Sequence, residues 1–318
     1  MNRRAFLFLS SSIAIPLSSQ PVSSPRNWSR SFQLPLIAQD FVQHCHGSVD
    51  GLDCVVFNRS SLNSKLISTS LTGSVKFSGN LPAGILYSGL GVRSSGEFVM
   101  PCIERKVGVQ IREFTKAGIQ ARQSDIQNGS GIHGYCVVGD TLAILRESGG
   151  VDLLDLGSRR TRSFGKLVEE PRVAVMYPGL DGNLLIVDRA QVRLCVMSLA
   201  DGSAKFASIN NRDILLSKQF FSQKLQTQET QGTAKATPLV ITPSLPAADG
   251  SLYCIVYPVR KPEGALVQNI SISGEMTGAF RIVLPDLNGR LALPDYLYAF
   301  NQELFAIFST GEVRVYQL

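Results

Sequence analysis

The sequence predicts an all-β chain of repeated four-stranded antiparallel units closed into a ring. Three observations predict it. Turn markers recur at near-constant spacing: Gly51, Gly96, Asp140 and Gly182 are 45, 44 and 42 residues apart, the range of a four-stranded repeat. Apolar runs of strand length alternate with Gly- and Asp-bearing turns, and helical periodicity is confined to Arg212–Leu225. The third observation concerns the ends. An isolated outer-type strand, Arg30–Leu36, comes first, and the last unit lacks an outer strand. Each gap fills the other, which closes the ring and removes exposed sheet edges.

The best-preserved unit surrounds Leu180–Gly202 and serves as the ruler for the others. An Asp-Gly turn opens it, the run Asn183–Val187 follows, Asp188–Gln191 breaks the run, Val192–Leu199 resumes it, and Asp201-Gly202 ends it. Two antiparallel strands with a short loop satisfy this pattern.

Taken in order, unit one runs Val42–Gly47, Leu52–Asn58, Lys65–Leu71 and Ser74–Ser78. Unit two is Gly84–Leu90, Glu97–Ile103, Gly108–Phe114 and Ile119–Gln123. Unit three is Gly134–Val138, Thr141–Leu145, Val151–Leu156 and Arg160–Phe164. Unit four is Val173–Tyr177, the central hairpin and Ser203–Ile209. Unit five is Pro238–Thr242, Ser251–Val256, Ala265–Ser273 and Phe280–Leu284. The sixth has Tyr296–Phe300, Glu303–Phe308 and Glu312–Gln317, and takes its outer strand from Arg30–Leu36, which is similar to Gly278–Pro285 in unit five. The expectation is a six-bladed β-propeller of four-stranded antiparallel blades, closed by an N-terminal outer strand. It forms one domain over 26–318, with an insertion at about 210–236, behind a signal and linker over 1–25.

The fourth unit also resembles the NHL-type repeat of six-bladed propellers. The residues that carry the likeness are Asp181-Gly182-Asn183, Val187-Asp188 and Arg193-Leu194-Cys195-Val196. The last unit keeps part of it as Gly311-Glu312-Val313-Arg314-Val315, and the other four lack the Asp or the Arg. The resemblance implies the fold and no particular reaction, because this fold hosts binding proteins, scaffolds, lyases and lactonases alike.

Composition narrows the class. Of 318 residues, 44% are hydrophobic and 18% charged, which is a globular chain light on charge. The net charge of +6 includes Arg3 and Arg4, and no basic block interleaves with aromatics, so nucleic acid is not an expected partner. Asn2-Arg3-Arg4-Ala5-Phe6-Leu7, the apolar stretch Phe6–Leu17 and Ser/Pro-rich residues to Pro25 make an export signal. It resembles the twin-arginine class; a Sec signal carrying an Arg pair is the other reading. The apolar stretch is short of the ~20 residues a spanning helix needs, and no second run approaches that length. The expectation is a periplasmic or cell-surface monomer with no membrane span other than an uncleaved signal.

The six cysteines are Cys45, Cys54, Cys102, Cys136, Cys195 and Cys254. No Cys-x-x-Cys is present, which argues against a zinc ribbon or a thioredoxin-type pair. Cys45–Cys54, across one hairpin, is the best-placed disulfide; those inside apolar runs read as small hydrophobes.

Three sets of residues are candidate sites. His44 and His46 share one face of an inner strand, Cys45 takes the other, and His133 starts another inner strand. Three imidazoles near the ring axis suit a divalent cation in the central channel; without accompanying Asp or Glu they better suit rim histidines bonded to backbone or water. Arg59, Arg105, Arg146, Arg189 and Arg260 stand near the ends of second strands, with Ser309 in the sixth unit. They make a partial guanidinium ring for carboxylate or phosphate, or pair individually with Glu104, Glu147, Asp188 and Glu263. The insertion Asn210–Ala236 carries Phe220-Phe221 and reads as a partner-docking arm, a lid or a passive cover.

No Gly-x-Ser-x-Gly, Walker or Gly-x-Gly-x-x-Gly motif is present, and three histidines leave few ways to build a triad. The Glu, Asn and Asp set of propeller lactonases finds no match. The functional expectation is an exported, non-enzymatic binding or scaffolding module needing no cofactor, with an envelope protein or a small anionic ligand as partner. The alternative is a lactonase-like hydrolase or lyase with a channel cation.

Overall fold

A computed structural model describes residues 24–104, 108–126, 131–230, 239–260, 264–287 and 290–318. The export signal, Arg105, Glu263 and the end of the insertion lie outside the described residues.

Six antiparallel sheets follow one another around a ring. Blade 1 is Asp40–Ser48, Gly51–Asn58, Ser64–Thr69 and Val75–Asn80, from inside to outside. Blade 2 has a divided inner strand, Ile85–Tyr87 and Gly91–Val92, then Phe98–Glu104, Gly108–Phe114 and Gln120–Asp125. Blade 3 is Ile132–Val138, Thr141–Arg146, Val151–Asp155 and Thr161–Phe164. Blade 4 is Ala174–Pro178, Leu184–Asp188, Arg193–Met197 and Ala204–Ser208. Blade 5 is Ile241–Pro243, Leu252–Arg260, Gly264–Ile270 and Met276–Ile282. Blade 6 is Tyr296–Phe300, Glu303–Ile307 and Glu312–Gln317, completed by Arg30–Gln33. The expected six-bladed propeller, closed by an N-terminal outer strand, is the observed fold.

Closure is a register of four pairs: Arg30 with Val315, Ser31 with Arg314, Phe32 with Val313 and Gln33 with Glu312. Leu34 is buried behind it, and its N–H donates to the Gly311 carbonyl at 2.9 Å. The Arg314 guanidinium stacks on the Trp28 ring at 3.7 Å. The Arg26 guanidinium lies 4.4 Å from the Phe280 ring centroid, tying the segment to blade 5 as well.

The core is divided among the seams between blades. In Leu184–Asp188, Leu184 and Ile186 pack toward blade 3, while Leu185 and Val187 pack toward blade 5. A strand buried on both faces reads as a continuous apolar run, which is why the central stretch shows no polar alternation. Each such side chain contributes ~1.5–3 kcal/mol of hydrophobic burial. The inner strands approach one another so closely that a Cβ on Gly47 would lie 2.5 Å from the Tyr298 ring, and one on Gly91 2.4 Å from Val137.

Three local features depart from the sequence expectation. The inner strand of blade 2, read as continuous over Gly84–Leu90, is broken because Pro101 stands opposite the break. Proline offers no N–H to the ladder, and only the Ser88 N–H and hydroxyl bond the Pro101 carbonyl, at 2.8 and 3.1 Å. The helix expected over Arg212–Leu225 runs Arg212–Thr230 (α1). Asn211 caps it, its Oδ1 accepting the Ile214 N–H at 3.1 Å. A small hairpin, Asp286–Leu287 with Arg290–Leu291, precedes blade 6 and was not foreseen.

Candidate functional site: the central channel

The inner strands of all six blades enclose a channel with a cavity of about 380 Å³. Its wall is rich in neutral polar groups. Tyr135, Tyr177, Tyr296 and Tyr298 line it, with Ser88, Thr242 and the three histidines.

A β-bulge at Gln43 sets the register of blade 1. Val42 pairs with Val56 and His44 with Val55, so Gln43 is the extra residue. Its carbonyl accepts the Tyr296 hydroxyl from blade 6. Beyond the bulge, His44 and His46 point toward blade 2 and Cys45 toward blade 6. His44 Nε2 donates to the Tyr87 carbonyl at 3.1 Å, leaving Nδ1 as an acceptor. Burial lowers the pKa of His44 to about 4, against the opposing pull of the Tyr87 carbonyl, and burial also lowers His46 to about 4. Both rings are therefore neutral at neutral pH. His133 is exposed at the start of the blade 3 inner strand and also lines the channel.

Cys45 and Cys54, the best-placed pair for a disulfide, are directly opposed across the hairpin as free thiols with Sγ atoms 3.2 Å apart. Their mutual hydrogen bond, then burial, raises the Cys45 pKa. Burial pushes Tyr135 and Tyr298 up to about 12 and raises Tyr177 and Tyr296 further.

Arg189 lines the channel from the end of the second strand of blade 4. Its Nε–H donates to the Val173 carbonyl at 2.6 Å. Asp295, exposed, lines the channel from blade 6, and its Oδ2 accepts the Ser309 N–H at 2.8 Å.

The structure thus brings His44, His46, His133 and Arg189 to one cavity. Among the described residues, no three His, Cys, Asp or Glu side chains converge as a metal site. Arg59 lies instead over the Phe41 ring at 4.7 Å, and Arg146 donates from Nε to Asp152 at 2.6 Å. Two of the acids expected beside the arginines are used elsewhere. Glu104 pairs with Arg112 at 2.9 Å, and Asp188 accepts the amide hydrogens of Ala190 and Gln191 at 3.1 and 2.9 Å. Phe221 packs on the seam between blades 4 and 5, with the Phe220 ring edge-on to it at 5.3 Å. Sequence reasoning missed the tyrosines and Asp295. Their only signal was position on or beside an inner strand.

The fold and channel define the class, a six-bladed β-propeller with an open axis. The solved structures it resembles agree with that class. A catalytically inactive virginiamycin B lyase from Staphylococcus aureus with quinupristin is 15% identical, covering 91% of this chain and 99% of that one, TM-score 0.53. A selenomethionine form of the same lyase is 13% identical over 91% and 98%, TM-score 0.52. A Bacteroides thetaiotaomicron protein of unknown function is 13% identical over 93% and 75%, TM-score 0.52. At these identities the likeness is one of fold. No protein-family model and no curated protein matches the chain.

Proposed function

We propose that this chain is an exported, non-enzymatic binding module of the cell envelope that takes its ligand in the central channel. One observation carries the reading: His44, His46, the channel tyrosines and Cys45 are held in neutral forms. His44 and His46 stay unprotonated down to about pH 4, and the buried tyrosines and Cys45 keep their protons. A general acid or base works best with a pKa near the operating pH, so this wall is suited to recognition. Phe220 and Phe221, on α1, are the proposed contact for an envelope protein partner.

A second reading is favoured by one fact, that all three histidines line the same channel. On it, the protein is a hydrolase or lyase with a divalent cation held by His44, His46 and His133.

Two measurements test the proposal. Cell fractionation is expected to find the full chain in the envelope and an R3K/R4K variant in the cytoplasm; a cytoplasmic wild type refutes export. Elemental analysis of the purified protein is expected to show far less than one metal per chain. One equivalent of zinc or calcium, lost together in H44Q and H133Q, shifts the reading to the enzyme.

A further inference from the structure

Arg189 is a cation without a counter-ion. Its Nε is fixed to the Val173 carbonyl, but among the described residues nothing accepts from its two terminal nitrogens. The groups that feel its charge are the phenols of Tyr177 and Tyr257, and burial works against its protonated form. Asp188, its neighbour in sequence, is turned to the backbone of Ala190 and Gln191. Asp295, the carboxylate that lines the channel, is exposed on blade 6 and engaged with Ser309.

Arg189 is half-buried; a guanidinium does not escape desolvation by losing its proton, and a partly desolvated charge left unpaired is costly. The terminal nitrogens face the channel, where an anion can meet them. A second donor stands beside it. Thr242 Oγ1 and the Tyr257 hydroxyl are 3.0 Å apart, and two hydroxyls sharing one bond keep one proton to give. Thr242 lines the channel next to Pro243, whose carbonyl accepts the Tyr177 hydroxyl at 3.1 Å.

We propose that the channel binds a small organic carboxylate, its head forked on the terminal nitrogens of Arg189 and its body along Tyr177, Pro243, Leu245 and Tyr298. The proposal rests on the channel being the binding site. A planar monoanion matches the fork of one guanidinium. A phosphomonoester dianion asks for further cations, which the neutral imidazoles of His44 and His46 do not supply. The cavity has the size of a small-molecule site.

The first test is thermal melting of the full chain at constant ionic strength, with chloride replaced by formate, inorganic phosphate or benzoate. Formate and benzoate are expected to raise the wild-type midpoint saturably. R189Q is expected to lose at least tenfold in apparent affinity for both, and R189K to recover part. Equal responses of wild type and R189Q, or tighter binding of phosphate than of formate, overturn the proposal. Benzamide separates it from the broader reading: a channel that takes benzamide as tightly as benzoate is still a binding site, but not one for an anion. A measurement on the wild type alone covers the case in which the variants do not fold. Crystals soaked in bromide are expected to show an anomalous peak within hydrogen-bonding reach of the Arg189 terminal nitrogens. Bromide peaks elsewhere with none there refute it.

Discussion

Oxidising Cys45 and Cys54 to a disulfide should stabilise the domain by an amount that can be worked out. The two residues are register partners on adjacent strands with thiols already in contact at 3.2 Å, so the bridge forms with little movement of the backbone. The loop it closes spans Cys45 to Cys54, and a loop of about 10 residues loses about 2.7 kcal/mol of chain entropy in the unfolded state. A domain of about 290 residues unfolds with an entropy near 0.6 kcal/mol/K, so the midpoint should rise by about 4 °C. Diamide supplies the oxidant and accepts the two protons and two electrons the thiols give up. The reaction should be slow at pH 7, because the raised Cys45 pKa leaves little thiolate. The assay is intact mass for the loss of two hydrogens, followed by calorimetry with and without a reductant. Cys45→Ala is the control and should lose no hydrogens. A bridged wild type that melts at or below the temperature of the reduced form would show that the strand geometry is not as described.

The other predictions concern packing, charge and pH. Leu34→Ala removes a fully buried side chain behind the closing strand and should cost about 3 kcal/mol, read as a lower urea midpoint; a loss under 1 kcal/mol would mean the closure does not depend on that contact. Glu113 is buried between Arg93, at 3.0 Å, and Arg159. Glu113→Ala leaves the Arg159 guanidinium without its carboxylate, while Arg93 keeps Asp140 at 2.8 Å, and should cost about 3 kcal/mol, with the double variant Glu113→Ala/Arg159→Ala recovering part in a double-mutant cycle. His44 and His46 have folded pKa values near 4, below the ~6.5 of an unfolded histidine. The unfolded chain therefore binds protons first, and stability falls as pH drops from about 6.5 to about 4, by ~1–3 kcal/mol per ring. Urea midpoints at pH 7 and 4.5 measure this, and His46→Gln should flatten the slope; an unchanged slope refutes the buried, neutral assignment.

Blade count, strand order and closure were legible because they rest on turns and apolar runs, which are local in sequence. The division of the blade 2 inner strand was not. Its cause, Pro101, lies on the neighbouring strand, and only pairing reveals which inner-strand residue it faces. Of the five arginines read as a set, Arg189 alone is placed on the channel by the described side chains. Strand ends mark where a chain turns, and the direction of a long side chain there depends on partners such as Asp152 or Phe41, which pairing brings close. The histidines were easier. Alternation along a strand fixes which residues share a face, and the bulge at Gln43 lies before His44, so it leaves the relation of His44, Cys45 and His46 intact.

The four pairs between Arg30–Gln33 and Glu312–Gln317 have a consequence for the order in which the molecule assembles. Arg30 meets Val315, a separation of 315 − 30 = 285 residues. Bringing such distant segments together costs about 5 kcal/mol of loop-closure entropy, whereas each hairpin within a blade joins near neighbours. During synthesis, the early strand must wait, unpaired, until nearly the whole chain has emerged. Blades 1 to 5 can each form from contiguous chain, and the latch engages last. The slow phase of refolding should be this step, in which the strand joins blade 6 and the seam between blades 6 and 1 closes with it, Tyr296 meeting Gln43.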